Sequence, residues 1–520
     1  MSVSKSFERF EGRHANSRTA IVAGWFCLLL IGGIVYGSAR WLFLSSNDVI
    51  WLRVMQSKPP LTLAWEQFTV GSPLDYRPLA TVYFLGLQAL FGDWAPGYYA
   101  FSLLLHTFNA LLVFLVARTF RLSWEFAAFA ALFFLIHPAP VRAVRWVNDA
   151  ANLLQLFFLL LCLLLAWRFL TTGAKRSYWL SLACATAAVF SKESGIVALA
   201  LPFVLDFCLR GPRPLKRFAR YAPHGLIAAL YLCLYVSVAH SPGWRSRPEV
   251  FGIGSHIPRN LAYSMGLAWL PLDQPSPPLS NFIVLAGLVS LGAVVTAFRD
   301  RRLGMFALLW LLLCALPTAL FKTTGGFAST GRYVYFFLPL LLLAAAAWAE
   351  RAGESLRQGR WGGRLALAGL LLLALATGLQ TRRLAAAPFE THAGPVVYHF
   401  AVMWMLDYRE ATNYVLDEIG CPRRSSLQEA SSWGASLAVQ AKEPALQVLG
   451  RVVTALAERS LGQTSGAMSQ LDEADKILAG QPANLVSGLD LGSHHISRLK
   501  QRLAVSPLLP VCWDPSSSPF

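Results

Sequence analysis

Long runs of apolar residues, separated by short polar segments, dominate the first 380 positions of this 520-residue chain. About 20 apolar residues in a helix are needed to cross the hydrocarbon core of a bilayer. Three runs are short and would need flanking polar residues to cross. The pattern predicts about eleven transmembrane helices, near 20–42, 98–117, 125–136, 150–168, 178–190, 196–209, 222–240, 281–298, 303–320, 333–349 and 365–380.

The positions of Lys and Arg predict the orientation, because basic residues concentrate in cytoplasmic loops. The N-terminus is basic, and every second loop after it is basic too. We therefore expect a cytoplasmic N-terminus. The segments expected on the outer side are 43–97, 137–149, 191–195, 241–280, 321–332 and 381–520.

Three domains follow from this layout. A cytoplasmic N-terminus spans 1–19, a transmembrane domain spans 20–380, and a polar extracytoplasmic domain spans 381–520. The outer loop 43–97 carries a short apolar stretch at 77–92, which we interpret, together with 258–272, as an interfacial or partly inserted helix.

The C-terminal domain contains two segments with apolar residues at i, i+3 and i+4 spacing, 445–461 and 467–485, which indicates a helical hairpin. This hairpin resembles one tetratricopeptide-type unit, and a small helical domain of another family accounts for the same pattern equally well. Cys421 and Cys512 both lie in this domain. One hypothesis is that they form a disulfide, because an oxidising compartment would let them pair.

Composition supports a polytopic membrane protein. The chain is 55% hydrophobic and 14% charged, with a mean hydropathy of +0.47, whereas soluble proteins carry about 25% charged residues. The net charge of +17 lies in short blocks between apolar runs, a pattern typical of cytoplasmic loops, so no nucleic-acid partner is expected. The first run exceeds the apolar core of a cleaved signal peptide, so we interpret it as a transmembrane helix.

Polar residues at the edges of membrane helices are the candidates for chemistry, because an ionisable group at that depth is costly. Asp48 follows the first apolar run among large apolar neighbours. It is either the general base for an acceptor hydroxyl or a solvent-exposed acid at a helix end. The surrounding aromatic residues favour the first interpretation.

Asp75 and Arg77 precede Pro78, a residue that suits the first turn of a helix. Asp75 is a candidate cap for that helix. Arg77 is unfavourable at the positive end of a helix dipole, so we expect it to meet a phosphate or a carboxylate. Lys192 and Glu193 either neutralise each other or contribute to a polar site.

His106 lies within an apolar run, where a satisfied core residue is the more common role, and His137 begins an outer loop. Arg332, Tyr333 and Tyr335 start another apolar run, either as an aromatic and basic interface anchor or as a phosphate clamp. No soluble-enzyme signature and no metal or cofactor site is found; whether a metal is needed stays open.

Six motifs occur in an order that resembles the membrane part of GT-C glycosyltransferases: "SSNDVIWL", "DYRPLATVYFLGLQALFG", "GYYAFSLLLHTFNALLVF", "ALFFLIHPAPVRAVRWV", "FSKESGIVALALPFVLDF" and "GRYVYFFLP". The resemblance covers about residues 20–350. It is greatest to the dolichyl-phosphate-mannose protein mannosyltransferases and to the transmembrane O-mannosyltransferases that bear tetratricopeptide repeats.

This resemblance implies an integral-membrane enzyme that moves a sugar, with inversion, from a polyprenyl-phosphate donor to a hydroxyl of a protein or glycan at the outer membrane surface. Asp48 matches the family's acid in the first outer loop and would act as the base. Arg332, with Arg77 or Lys192, would stabilise the departing phosphate. No definite role transfers to the supporting polar residues. These are Asp75, His106, His137 and Glu193.

The chain departs from the family pattern at three places, one of which is Ala150, where the resemblance implies an arginine. Asn47 precedes Asp48 where relatives often have a second acid, and Arg142 replaces a glutamate. One alternative is therefore a GT-C-fold scaffold with altered chemistry, and another is a flippase or transporter for lipid-linked glycans. The composition suggests a bacterial inner membrane with the C-terminal domain in the periplasm. The sugar, the acceptor and the oligomeric state are not specified by these residues.

Overall fold

The computed structural model describes residues 14–37, 55, 58–69, 76–92, 94–211, 219–238, 252–269, 277–320, 332–357, 362–386, 424–440, 444–479, 493–505 and 507. These residues form helices and turns, and no strand occurs among them. The prediction of an all-α fold is confirmed.

The helices over the apolar part of the chain follow the predicted runs closely. They are α1 (His14–Tyr36), α2 (Pro60–Thr69), α3 (Pro78–Phe91), α4 (Ala95–Thr119), α5 (Trp124–Ile136), α6 (Val141–Arg145), α7 (Ala150–Thr172), α8 (Lys175–Ser191), α9 (Val197–Arg210), α10 (Ala222–Val238), α11 (His256–Leu267), α12 (Pro277–Ala297), α13 (Arg301–Ala319), α14 (Leu338–Arg357) and α15 (Gly362–Ala386).

Five helical segments among the described residues are long and apolar enough to cross a membrane, which supports an integral membrane protein. They are Thr19–Tyr36, Ala95–Thr119, Val147–Thr172, Leu279–Ala297 and Arg301–Ala319. A helix overlaps each of the eleven predicted runs, but several are short, so eleven crossings remain a prediction. So does the interfacial position of α3 and α11.

Proline and glycine set several helix ends. Helix α3 begins at Pro78, whose missing N–H costs nothing in the first turn. Helix α5 ends at Ile136 because His137 precedes a proline and is held in an extended conformation, with φ −70° and ψ 142°. Helix α7 ends at Gly173, where φ is +74°, a left-handed conformation that favours glycine.

The chain divides into two compact units, one comprising 1–39, 61–90 and 97–385, the other 40–60, 91–96 and 386–520. In the first unit α7 packs along α8, and α11 packs along α12. A Cβ on Gly266 would lie 1.8 Å from the carbonyl oxygen of Ile283, so the backbones of α11 and α12 are in direct contact.

The described residues of the second unit include the helices α16 (Arg424–Gln440), α17 (Pro444–Ser460), α18 (Thr464–Ala479) and α19 (Ser493–Val505). Helices α17 and α18 are the hairpin expected at 445–461 and 467–485, and α18 ends at Ala479, directly before the stop signal that Gly480 and Pro482 form in the sequence. Helix α16 escaped prediction because it is rich in Ser and Ala and has little apolar periodicity. Cys421 and Cys512 lie outside the described residues, so their pairing stays a hypothesis.

Candidate active site: a charged cluster in the membrane unit

Five charged residues from four separate segments meet in the first unit, and we call them the charged cluster. They are Arg77, Asp149, Lys192, Glu193 and Arg332. Asp149 was not singled out from the sequence, because an acid before an apolar helix is commonly a helix cap. Its position at the start of α7 places it opposite Arg332.

Arg77 binds Glu193 through two parallel hydrogen bonds. Its Nε donates to Oε2 at 2.8 Å and a terminal nitrogen donates to Oε1 at 2.9 Å. Of the two partners expected for Arg77, the structure therefore shows the carboxylate. Burial opposes ionisation of Glu193, but the charge and hydrogen bonds of Arg77 outweigh it and lower the pKa of Glu193 to about 2.

Lys192 interacts electrostatically with its neighbour Glu193, but its hydrogen bond goes to a different residue. Its Nζ donates to Oδ1 of Asn152 at 2.5 Å and lies 5.3 Å from the centre of the Tyr333 ring. Burial, with the nearby charge of Arg77, lowers the pKa of Lys192 to about 8. The lysine is therefore mainly cationic at neutral pH and loses its charge in mild alkali.

The backbone around Lys192 is held by close packing. The chain leaves α8 in an extended conformation at Lys192 and then forms a short 3-10 turn, Glu193–Ile196. A Cβ on Gly195 would lie 2.2 Å from the carbonyl oxygen of Ala188, so only glycine allows this turn to fold back onto α8. The turn at Gly195 thereby fixes the backbone from which the Lys192 side chain reaches Asn152 and the Glu193 side chain reaches Arg77.

Arg332 lies between an acid and two aromatic rings. One terminal nitrogen is 3.4 Å from Oδ1 of Asp149, and the other donates to the Tyr333 hydroxyl at 3.0 Å. The guanidinium carbon lies 4.9 Å from the centre of the Tyr333 ring and 5.7 Å from that of Trp146. Among the described residues, Arg332 Nε, Asp149 Oδ2 and Trp146 Nε1 have no hydrogen-bond partner.

Tyr335 belongs to a different set of contacts. Its buried hydroxyl accepts from Nδ2 of Asn109 at 2.8 Å and lies 3.2 Å from Nδ1 of His106. His106 Nε2 donates to the carbonyl oxygen of Leu135 at 3.1 Å. We call His106, Asn109 and Tyr335 the neutral network. His106 thus has the satisfied core role expected from the sequence, and the hydroxyl of Tyr335 is engaged within the bundle.

His137 fixes the start of the loop that carries Trp146 and Asp149. Its Nε2 donates to the carbonyl oxygen of Ala268 at 2.8 Å, and its Nδ1 accepts from the backbone N–H of Ala139 at 3.1 Å. Burial lowers the pKa of His137 to about 4, so the ring is neutral at neutral pH. This arrangement makes His137 a positioning residue.

Two predicted site residues, Asp48 and Asp75, lie outside the described residues. Their roles as base and as helix cap remain predictions. Of the other predicted residues, the structure brings Arg77, Lys192, Glu193, Arg332 and Tyr333 together, and it places His106 and Tyr335 in the neutral network.

The geometry of the charged cluster suits an anion with several oxygen atoms. Arg332 retains a donor without a partner, and Lys192 lies over the same tyrosine ring as Arg332. Guanidinium and ammonium groups in partly buried sites form strong, short hydrogen bonds to phosphate oxygens. The cluster can therefore hold a phosphate and stabilise negative charge that develops on it.

No protein-family model matches the chain. Among solved structures, the archaeal oligosaccharyltransferase AglB from Archaeoglobus fulgidus, in complex with an inhibitory peptide and a dolichol-phosphate, is 12% identical and superposes with a TM-score of 0.47 over 85% of this chain and 72% of that chain.

Two known proteins share sequence with part of the chain. The protein O-mannosyl-transferase Tmtc1 of Drosophila melanogaster is 32% identical over 214 residues, which cover 40% of this chain and 24% of the fly protein. The protein O-mannosyl-transferase TMTC4 of Mus musculus is 29% identical over 233 residues, which cover 39% of this chain and 31% of the mouse protein. The resemblance predicted from the motifs is therefore confirmed: this chain is similar to protein O-mannosyl-transferases over about two fifths of its length.

Proposed function

We propose that the chain is an integral-membrane glycosyltransferase that moves a sugar from a polyprenyl-phosphate donor to a hydroxyl of a protein or glycan acceptor. The observation that carries the proposal is the position of Lys192 and Arg332, two cations over one tyrosine ring in an apolar helical bundle. Burying cations in an apolar bundle costs free energy. A bound anionic ligand would compensate for that free energy at this position.

The charged cluster would act on the leaving group. As the acceptor oxygen attacks the anomeric carbon, the bond from that carbon to the phosphate oxygen breaks, and negative charge moves onto the lipid phosphate. Lys192 and Arg332 would stabilise that charge, while Arg77 stays paired with Glu193. Attack from the side opposite the phosphate inverts the anomeric centre.

Asp48 would take the proton from the acceptor hydroxyl during this attack. The carboxylate is the acid that the motif comparison assigns to the first outer loop. The lipid-linked sugar is the co-substrate, and no separate cofactor is invoked.

The names of the relatives favour mannose as the sugar and a protein hydroxyl as the acceptor. We further propose that the active side faces the periplasm of a bacterial inner membrane, with the N-terminus in the cytoplasm. The alternation of basic loops along the chain supports this orientation.

Sugar transfer by the purified full-length chain in liposomes tests the proposal. Labelled polyprenyl-phosphate sugars, mannose first, would be offered with serine- and threonine-containing peptides and with glycans. We expect transfer by the parent and a loss on the order of 10²–10³-fold in R332A, because a preorganised donor to the leaving group is removed.

The matched control is R299A, which removes an arginine from an exposed ion pair with Glu354 and should transfer at the parental rate. Equal activity of R332A and R299A would contradict the role of the charged cluster. If the lipid-linked sugar moved across the bilayer and no sugar transfer occurred, the chain would be a transporter and not a glycosyltransferase.

A further inference from the structure

Arg142 lies beside the charged cluster but was not among the predicted phosphate-binding residues. It sits on the single turn of helix α6, where the backbone N–H of Trp146 donates to the carbonyl oxygen of Arg142 at 2.9 Å. Residues four positions apart share one face of a helix. The Arg142 guanidinium accordingly lies 4.5 Å from the centre of the Trp146 ring.

The same indole ring also contacts Arg332, at 5.7 Å. The two distances together limit the separation of the two guanidinium carbons to about 10 Å. Arg332 also lies near the Tyr333 ring, and Lys192 lies near the same ring. Cations and aromatic rings therefore alternate in a chain of successive contacts, in the order Arg142, Trp146, Arg332, Tyr333 and Lys192.

This alternation places positive charges near one another. The face of an aromatic ring attracts a cation, while the N–H groups of a guanidinium lie in its own plane and remain able to bind an oxyanion. Trp146 Nε1 and Arg332 Nε have no hydrogen-bond partner among the described residues. An anion with several oxygens bound there would offset the repulsion between the cations.

We propose that Arg142 is a further substrate-binding residue, which holds the phosphate of the lipid-linked donor together with Arg332, and that Trp146 is the positioning residue for both arginines. This inference rests on the proposed function, since it takes the donor to be a polyprenyl phosphate. It adds a residue that the motif comparison does not supply, because the expected residue at position 142 is an acid.

Binding of undecaprenyl phosphate to the full-length chain in nanodiscs tests the role of Arg142. We expect R142A to weaken binding roughly tenfold, the loss of one charge-assisted hydrogen bond, and R142K to fall between R142A and the parent. The alcohol undecaprenol, which lacks the phosphate, should bind all three proteins equally.

The matched control is R351A, because Arg351 also lies over a tryptophan, 5.7 Å from the Trp348 ring, outside the charged cluster. It should leave binding of undecaprenyl phosphate unchanged. Parental affinity in R142A, or an equal loss for undecaprenol, would overturn the inference.

The role of Trp146 is separated from a merely structural one by two substitutions. W146F keeps an aromatic face and should retain most of the affinity for undecaprenyl phosphate, whereas W146L keeps apolar bulk only and should lose affinity as R142A does. Equal affinities of the two variants would overturn the positioning role.

Binding and transfer fail independently. A parent that binds undecaprenyl phosphate through Arg142 but transfers no sugar would overturn the proposed function and leave this inference standing. A parent that transfers sugar, with R142A binding and transferring equally well, would overturn this inference alone.

Discussion

The charged cluster and the neutral network lie in the same unit and share the segment 332–335, yet the hydrogen bonds of their polar groups are satisfied to different degrees. In the neutral network, His106 and Tyr335 are fully buried and bonded to each other, to Asn109 or to a backbone carbonyl, and of its side-chain polar atoms only the uncharged amide oxygen of Asn109 has no partner among the described residues. In the charged cluster, Arg332 is partly exposed and Asp149 is buried, and each retains an atom without a partner among the described residues.

This difference teaches how to distinguish two kinds of polar residue in an apolar bundle. A neutral group whose bonds are all made inside the protein specifies packing. A charged group with remaining donors is costly unless something else binds it. Two tyrosines that are two residues apart contact the two regions separately. The Tyr333 hydroxyl accepts from Arg332 of the charged cluster, and the Tyr335 hydroxyl accepts from Asn109 of the neutral network.

The largest expected effect concerns the acid that would complete the charged cluster's chemistry. Asp48→Asn removes the proposed base while keeping the shape of the side chain, so transfer from a polyprenyl-phosphate sugar should fall about 10²–10⁴-fold. Binding of undecaprenyl phosphate should stay at the parental level, because the cations are untouched. Retained transfer would remove Asp48 from its proposed role and leave the cluster without a base.

A smaller effect is expected from pH. Because burial lowers the pKa of Lys192 to about 8, the folded protein loses this cation as pH rises through 8, where a free lysine is still charged. Donor affinity should therefore fall across that range in the parent.

Lys192→Arg is the control for this pH effect, since arginine keeps its charge throughout. Its affinity for undecaprenyl phosphate, measured from pH 6.5 to 9.5, should show no fall near pH 8. The same alkaline fall in parent and variant would assign the titration to another group.

The smallest effects are expected from removing one hydroxyl in each region. These two variants distinguish a loss of stability from a loss of donor binding. Tyr335→Phe leaves His106 and Asn109 short of a partner and should lower the free energy of unfolding by about 1–2 kcal/mol, with transfer per folded molecule unchanged. Tyr333→Phe removes the hydroxyl that accepts from Arg332, so donor affinity should fall a few-fold with little change in the unfolding midpoint.

Thermal unfolding in detergent and transfer in liposomes, measured on both tyrosine variants, decide between these patterns. If Tyr335→Phe reduced transfer and Tyr333→Phe reduced stability, the division between the two regions would be wrong.

Much of the helical layout could be predicted from apolar runs and from proline. The run at 98–117 became Ala95–Thr119, and the start at Pro78 follows from the ring's fixed φ. Helix α16 could not be found in this way, because its small residues pack through close backbone contact. A Cβ on Gly434 would lie 2.8 Å from the carbonyl oxygen of Gly450.

The site was predictable in its residue types but not in its pairings. The sequence indicated Arg77, Lys192, Glu193 and Arg332, yet the adjacent charges at 192 and 193 suggested a local pair. The actual partner of Glu193 lies 116 positions away, and only the folded chain brings them together. Asn152 and Trp146 escaped notice because each is an ordinary residue at a helix edge until its neighbours are known.

The central claim is that the charged cluster binds the phosphate of a lipid-linked sugar. The most direct test is an experimental structure of the full-length chain with undecaprenyl phosphate in a lipid bilayer mimic. We expect phosphate oxygens within about 2.7–3.2 Å of the Arg332 guanidinium and the Lys192 ammonium, with the Asp48 carboxylate facing the same space. A phosphate bound elsewhere at saturating lipid, with Arg332 and Lys192 keeping their present contacts, would contradict the account.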